Sequence, residues 1–297
     1  MTLLACKRVA ASASCLSPHF RHPWRSAVFA GLLASALTVQ AQTPSPMPEW
    51  AYSAGIGLRN YYQEAIPEWS VLVGASSVYQ PTYDGSSHYG FLSGPALDIR
   101  YRDIAFLSLG EGLGVNLLRE QNYRAGIALT YDLGREVSRR SARRGLDSID
   151  PAPELKAFFE YVLLASEIPV TLRANVRQAF GGYDGLVADL NAYAPLTGSQ
   201  QFVLFIGPSL TFADADYMQS FFGISPEQAA RSGRPAFKAS AGFKSISLGS
   251  SATWFVTDNW LVNGQAAVVE LLGDAADSPT TERVTQYSLS LTVAYQF

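Results

Sequence analysis

Apolar and polar positions take turns without a break through the last twelve residues, 286–297. Tyr287, Leu289, Leu291, Val293, Tyr295 and Phe297 are apolar; Ser288, Ser290, Thr292, Ala294 and Gln296 are small or polar. Successive side chains on a strand point to opposite faces, so this stretch predicts a β-strand with one oily face and one mild face. The same period recurs upstream. In 122–133, Tyr123, Ile127, Leu129 and Tyr131 oppose Arg124, Gly126, Ala128 and Asp132. In 153–163, Leu155, Phe159 and Leu163 oppose Glu154, Lys156 and Glu160, and in 169–178, Leu172 and Val176 oppose Arg173 and Arg177. Around 95–102, Leu97, Ile99 and Tyr101 oppose Asp98, Arg100 and Arg102, and in 236–244, Phe237 and Phe243 oppose Lys238 and Lys244. About twelve strands are predicted, within a range of ten to fourteen: 69–78, 94–102, 104–115, 122–133, 153–163, 168–179, 185–195, 201–212, 236–245, 247–257, 259–270 and 285–297. The segment 50–62 is ambiguous.

A soluble β-sandwich and a membrane barrel both alternate in this way. The composition of the two rows separates them. The polar row mixes Arg, Lys, Glu and Asp with many Gly, Ala and Ser, and the apolar row carries Tyr and Phe near strand ends. An enclosed interior explains the first, since small residues leave room and opposite charges pair across it. Interfacial girdles explain the second. A charge on the lipid side costs about 2–4 kcal/mol at the midplane, so the basic residues belong inside or at the rims. The expected fold is therefore all-β: a transmembrane antiparallel up-and-down β-barrel with one short helical loop. Arg100, Arg102, Arg124, Arg173, Arg177, Lys238 and Lys244 are expected to line its lumen. The closing strand resembles the C-terminal targeting strand of Gram-negative outer-membrane proteins, which assigns Tyr295 and Phe297 to an assembly signal read by the barrel-assembly machinery.

The N-terminus supplies the compartment. Lys7, Arg8, Arg21 and Arg25 precede the apolar run 27–39, no acidic residue occurs before Glu49, and Val39-Gln40-Ala41 suits cleavage. Residues 1–41 are expected to be a secretory signal, 42–68 a loose Pro-rich leader and 69–297 the barrel. The apolar run is too short to span a bilayer as a helix. Both cysteines, Cys6 and Cys15, fall within the signal, which excludes thiol catalysis and Cys-type metal sites from the mature chain. Removing those four basic residues from 22 leaves 18 against 25 acidic, a net charge of −7 (18 − 25), so no nucleic-acid partner is expected.

Three segments could carry function. In 213–235, Ser225, Pro226, Gln228 and Gly233 predict a capped helix over 226–232. Ahead of it, Tyr217, Met218, Phe221 and Phe222 stand at helical spacing, a docking element or plug, or else aromatics packed on the barrel rim. In 134–147, Arg139, Arg140, Arg143 and Arg144 accompany Arg135; such a cluster can bind carboxylates or phosphates, or be a solvated loop. In 81–89 (PTYDGSSHY), His88 lies near Asp84, Ser86 and Ser87. Turn chemistry explains that composition, and four residues on one loop rarely converge as a triad, so no catalytic residue is assigned. No metal-ligand spacing or phosphate loop is present, and no cofactor is expected.

These segments resemble the MipA/OmpV family of outer-membrane proteins. The carrying residues are Pro81, Tyr83, Gly85, Ser86 and Tyr89, then Pro95 and Arg100-Tyr101-Arg102, then Gly134-Arg135 and Gly145-Leu146. The most specific stretch runs from Tyr217-Met218 through Phe222-Gly223-Ile224-Ser225 to Ser232-Gly233, followed by Gly273–Pro279 and Tyr295-Gln296-Phe297. The resemblance implies an outer-membrane barrel and a non-enzymatic scaffold joining a periplasmic lytic transglycosylase to a penicillin-binding protein. A narrow channel and a surface adhesin are the alternatives. With the C-terminus in the periplasm, the predicted strand count turns 79–93 and 271–284 outward. It places 134–152 and 213–235 in the periplasm, where the aromatic and arginine residues above would dock the murein enzymes. Long periplasmic segments are unusual, so either one strand is miscounted or recognition lies inside the envelope.

Overall fold

A computed structural model describes residues 67–297, except 121, 136, 138–142, 166–167 and 200. The expected signal 1–41 and most of the leader lie outside the described residues. Twelve strands follow one another: β1 Trp69–Pro81, β2 Tyr89–Tyr101, β3 Ala105–Ser108, β4 Gly112–Arg119, β5 Tyr123–Asp132, β6 Ala152–Ala165, β7 Ile168–Ala179, β8 Leu186–Gly198, β9 Phe202–Ala213, β10 Gly242–Phe255, β11 Trp260–Leu271 and β12 Thr285–Gln296. Each pairs antiparallel with its chain neighbour, and β12 closes on β1 through Ala75↔Val293 and Ser77↔Leu291. Instead of one helical loop, the described residues contain three short helices: α1 Ala215–Phe222, α2 Pro226–Ser232 and α3 Gly273–Asp277. Among the described residues no helix is long and apolar enough to cross a membrane; the strands cross it.

The parity of the sequence becomes the two faces of the wall. On β12, Tyr287, Leu289, Leu291 and Val293 are exposed outward, while Gln286, Ser288 and Ala294 are buried inside. On β5 to β7 the outward row includes Ile127, Leu129, Leu155, Phe159, Leu172 and Val176, and the inward row Arg124, Glu154, Lys156, Glu160, Arg173 and Asn175. Aromatics gather at both ends of the outward face. Trp69 meets Tyr101 and Trp260 meets Tyr295 near the termini, while Tyr79, Tyr89 and Phe91 cluster at the opposite end. Tyr295 also touches Phe297, whose ring centroid is 4.8 Å away. An apolar band between two aromatic rows is what a bilayer selects.

Several strand ends shift by a few residues (β1 runs on to Pro81 and β2 begins at Tyr89), but two assignments differ in kind, and they matter together. The stretch 104–115 is a hairpin, β3–β4, turning at 109–111. Because Ser108 pairs with Gly112, the three-residue turn keeps even-numbered residues inside, and alternation alone cannot see it. Gly112 serves that turn at φ +87°, where an added Cβ would stand 2.2 Å from the Leu129 carbonyl oxygen. Conversely, 236–245 and 247–257 form the single strand β10, preceded by a loop. A bulge between Phe243 and Ser245 turns both Lys244 and Ser245 inward, which breaks the sequence alternation without ending the strand. Phe237 alternates in sequence but bridges Ile224 outside the sheet. The two errors cancel in the strand count but reverse the sidedness of everything between them. Segments 134–152 and 213–235 therefore lie at the same end as 79–93 and 271–284, opposite the termini.

The wall predicts its own energetics. In vesicles, Leu291→Arg should lower unfolding free energy by about 2–4 kcal/mol in a urea titration, whereas the inward Ser290→Arg should cost less than half as much. Equal costs would mean that the outward row does not contact hydrocarbon.

Candidate functional site

Inside the barrel the charges form one chain rather than scattered pairs. Arg100 donates to both carboxylate oxygens of Asp98, at 2.8 and 3.0 Å, and to Glu111 at 2.8 Å. The other oxygen of Glu111 accepts from Arg173 at 2.9 Å. Arg173 stands 3.8 Å from Glu160, which pairs with Arg124 at 3.1 Å, and Arg124 reaches Asp103 at 3.3 Å. Phe106 and Phe158 lie beneath the Arg100 and Arg173 guanidiniums at 5.5 Å. Nearby, Arg177 pairs with Asp189, which also accepts from the Thr211 hydroxyl. The opposite wall, β9 to β12, is lined instead by Ser209, Ser251, Thr253, Asn263, Gln265 and Ser288. Buried charges are tolerated only when paired and hydrogen-bonded; here the alternating signs meet that condition within the wall from β2 to β8.

The end opposite the termini is closed by a cap. Asp214 caps α1 by accepting from the Tyr217 amide, and the helix buries Tyr217, Met218, Phe221 and Phe222 against Ile149, Tyr183, Val187, Leu271 and Ala275. Its C-terminal carbonyls are held by three side chains from two other segments. Arg135 donates to the Phe221 carbonyl at 2.9 Å and to Ser220 at 3.2 Å; Arg143 donates to the same Phe221 carbonyl at 3.0 Å. The Ser278 hydroxyl donates to Phe222 at 2.6 Å. Cations at a helix C-terminus are favoured by its dipole, and here they also satisfy carbonyls that have no helical partner. Arg143 lies 3.9 Å over the Tyr83 ring and donates to the Asp84 carbonyl, while Lys244 binds the Asp84 carboxylate at 2.9 Å. Burial pushes the Arg143 guanidinium down to about 10, against the pull of Tyr83 and Asp84. Burial, reinforced by the charge of Arg143, holds Arg135 well below the ordinary arginine value.

The remaining loops are tied in turn. Ser225 and Gln228 complete the expected capping box of α2, and Gln228 and Arg231 bind Asp147. Gly85, at φ +94°, brings its carbonyl to the amides of Glu282 and Arg283 at 2.7 and 3.0 Å. Ser87 donates to Glu282 at 2.6 Å and holds that carboxyl below its usual range. His88 is exposed, with Glu282 bonded to the serine rather than to the imidazole at hydrogen-bond distance.

Of the residues expected to line the lumen, Arg100, Arg124, Arg173 and Arg177 point inward along the strands, and Lys244 points inward beneath the cap. Arg102 lies in the exposed β2–β3 turn, paired with Glu68 at 2.7 Å, because the strand ends at Tyr101. Lys238 is exposed in the loop before β10. Tyr217, Met218, Phe221 and Phe222, expected to dock a partner, face into the cap and are 0–6% exposed, so they are not presented to one. Arg143 is likewise buried; Arg144 is exposed; Arg139 and Arg140 lie outside the described residues. The acidic partners Glu111 and Glu160 and the cap residue Arg135 had no individual role in the sequence reading. Glu111 sits in the hidden turn, and Arg135 is distinguished only by the fold.

Residues 73–297 match the family model described as MltA-interacting protein MipA. No curated protein matches in sequence. Similar solved structures include the COG4313 outer membrane channel from Pseudomonas putida F1, with 14% identity, TM-score 0.46 and coverage of 79% of this chain and 97% of that one. The CymD monoaromatic hydrocarbon channel shows 10% identity and TM-score 0.42 over 87% of this chain and 98% of its own. Outer-membrane OmpT of Vibrio cholerae shows 8% and 0.36 over 78% and 98%. At these values nothing about function passes from them to this chain.

Two substitutions separate the interior from the cap. Arg173→Met leaves Glu111 and Glu160 short of a partner and should cost about 3 kcal/mol or more in vesicle unfolding. Arg143→Ala should leave the barrel folded but expose α1 to protease; continued protection would show that this clasp does not hold the cap.

Proposed function

The chain belongs to the MipA family of outer-membrane β-barrels, and from that premise we propose that it is a capped, non-enzymatic docking protein. Its partner is a murein lytic transglycosylase of the MltA kind, and through it a murein-synthesising penicillin-binding protein. The observation that carries the reading is the cap. Helix α1 lies at the mouth of a barrel whose charged wall pairs within itself, so binding surfaces, more than a conduit, are what the molecule offers.

The docking face follows from the topology. In bacterial barrels the long loops face outward and the short turns face the periplasm. The long segments here cluster opposite the termini, so a periplasmic partner meets the terminus end. That end carries the β2–β3 turn, whose Arg102 pairs with Glu68 just before β1, the β10–β11 turn at 256–259 and the chain preceding Trp69. The arginines and aromatics of the cap face away from the periplasm in this orientation.

Full-length protein in detergent should retain a purified MltA-type transglycosylase on beads. Deleting 226–232 should leave retention unchanged, and deleting 42–66 should reduce it at least tenfold. Retention lost with the cap deletion alone would overturn the orientation; no retention by the intact protein would overturn the docking function. In planar bilayers the intact protein should be electrically silent, and steady conductance would favour a channel.

A further inference from the structure

Among the described residues, one margin of the barrel wall has no strand partner at the depth of the lipid tails. The Thr82 amide donates to the His88 carbonyl and the Arg102 amide to the Glu68 carbonyl, both at 2.9 Å. In the β1–β2 register these bonds place the even-numbered residues of β2 in hydrogen-bonded pairs with β1. Odd-numbered residues therefore turn their backbone groups toward β3, as the bond from the Leu109 amide to the Leu97 carbonyl shows at 3.1 Å. But β3 is only four residues long and covers β2 from Asp98 to Tyr101. Above Leu97, the backbone groups of Phe91, Ser93 and Pro95 face a margin that no described strand pairs.

This margin lies within the hydrocarbon band. Its outward residues run from the Tyr79–Tyr89–Phe91 cluster toward the Trp69–Tyr101 pair at the other interface. An unsatisfied backbone group there costs several kcal/mol, and such groups persist only where protein or water meets them. Two features mark the margin as built to stay open. Pro95 has no N–H, which removes one orphaned donor and discourages addition of another strand. Ser93 satisfies its outward hydroxyl with Ser77 at 2.8 Å. Phe91 is 78% exposed, and Ser93, Gly94 and Pro95 are exposed beside it. Gly94 belongs to the inward row, yet an added Cβ would meet nothing within 4 Å. Behind it stand the half-buried Leu92 and Val78, then the Ser76 and Thr292 hydroxyls, 2.9 Å apart.

We propose that this margin is a lateral portal through which an acyl chain of a membrane lipid passes from the cap-side leaflet into the barrel, lying against Leu92 and Gly94. Lumen water meets the Ser93 and Pro95 carbonyls. The portal requires no particular partner at the terminus end and stands whether or not the docking reading does.

The two cysteines, Cys6 and Cys15, both fall in the expected signal 1–41, so single sites can be labelled in exported protein from which that segment has been cleaved. Bimane would be attached at Gly94→Cys, at the lipid-facing Leu291→Cys and at the inward Ser247→Cys, in vesicles containing doxyl-acyl phosphatidylcholine. Only protein with heat-modifiable gel mobility would be scored. Quenching at Gly94 should reach at least half that at Leu291 and exceed that at Ser247 severalfold; quenching no greater than at Ser247 would overturn the portal. A second measurement uses the unsubstituted protein and a phospholipid with a diazirine in its acyl chain. Crosslinks should include the inward Leu92, and crosslinks confined to outward residues would overturn the proposal. Slow amide exchange at Phe91 and Ser93 without quenching at Gly94 would place a peptide strand in the margin and would also overturn it.

Discussion

Lipid tails offer no hydrogen bonds, and that constraint organises the molecule. Every N–H and C=O that crosses the bilayer must find its partner within the protein. Antiparallel neighbours supply those partners around the ring except along the upper margin of β2, and the β1–β12 pairing removes the edge that an open sheet would leave. Once the wall closes, it separates two solvents, and the period of two in the sequence sorts residues between them. The oily row needs no further design. The inner row must either hold water or satisfy itself.

The interior does so with an asymmetric solution. Charges concentrate on the strands β2 to β8, where carboxylates and guanidiniums alternate, while hydroxyl and amide side chains line the facing wall. Charged partners on neighbouring strands can be exact in register, as Arg124↔Glu160 and Glu160↔Arg173 are, so the network is specified by pairing as much as by composition. The short β3–β4 hairpin contributes Glu111 from its turn and thereby inserts a carboxylate between Arg100 and Arg173. The same shortness leaves the upper part of β2, on the side away from β1, with no strand partner among the described residues, so the device that completes the ion chain also creates the gap in the wall.

Much of the architecture was readable because alternation is a local property. The faces of β5, β6, β7 and β12, the boundaries of α2 and the inward course of Arg100, Arg124 and Arg173 follow from residue order. What alternation could not reveal were events that preserve or flip parity without a composition signal. The 109–111 turn keeps the period intact, and the Lys244–Ser245 bulge interrupts it mid-strand. Together they leave the strand count even and reverse the sidedness only of the segments between them. The role of the α1 aromatics was hidden for a different reason. Helical spacing shows that Tyr217, Met218, Phe221 and Phe222 share a face, but whether that face meets a partner or the protein itself is decided by Arg135, Arg143 and Ser278, which are distant in sequence.

That distance has a consequence for how the protein is made. The clasp on α1 joins residues separated by 86, 78 and 56 positions, and the Lys244–Asp84 bond by 160. Loop closures of this span are costly until the intervening chain is already ordered, so the lid can set only after the staves of the cask are in place. A nascent molecule still in transit carries those four oily side chains uncovered, and the moment they disappear from solvent marks the completion of its biogenesis.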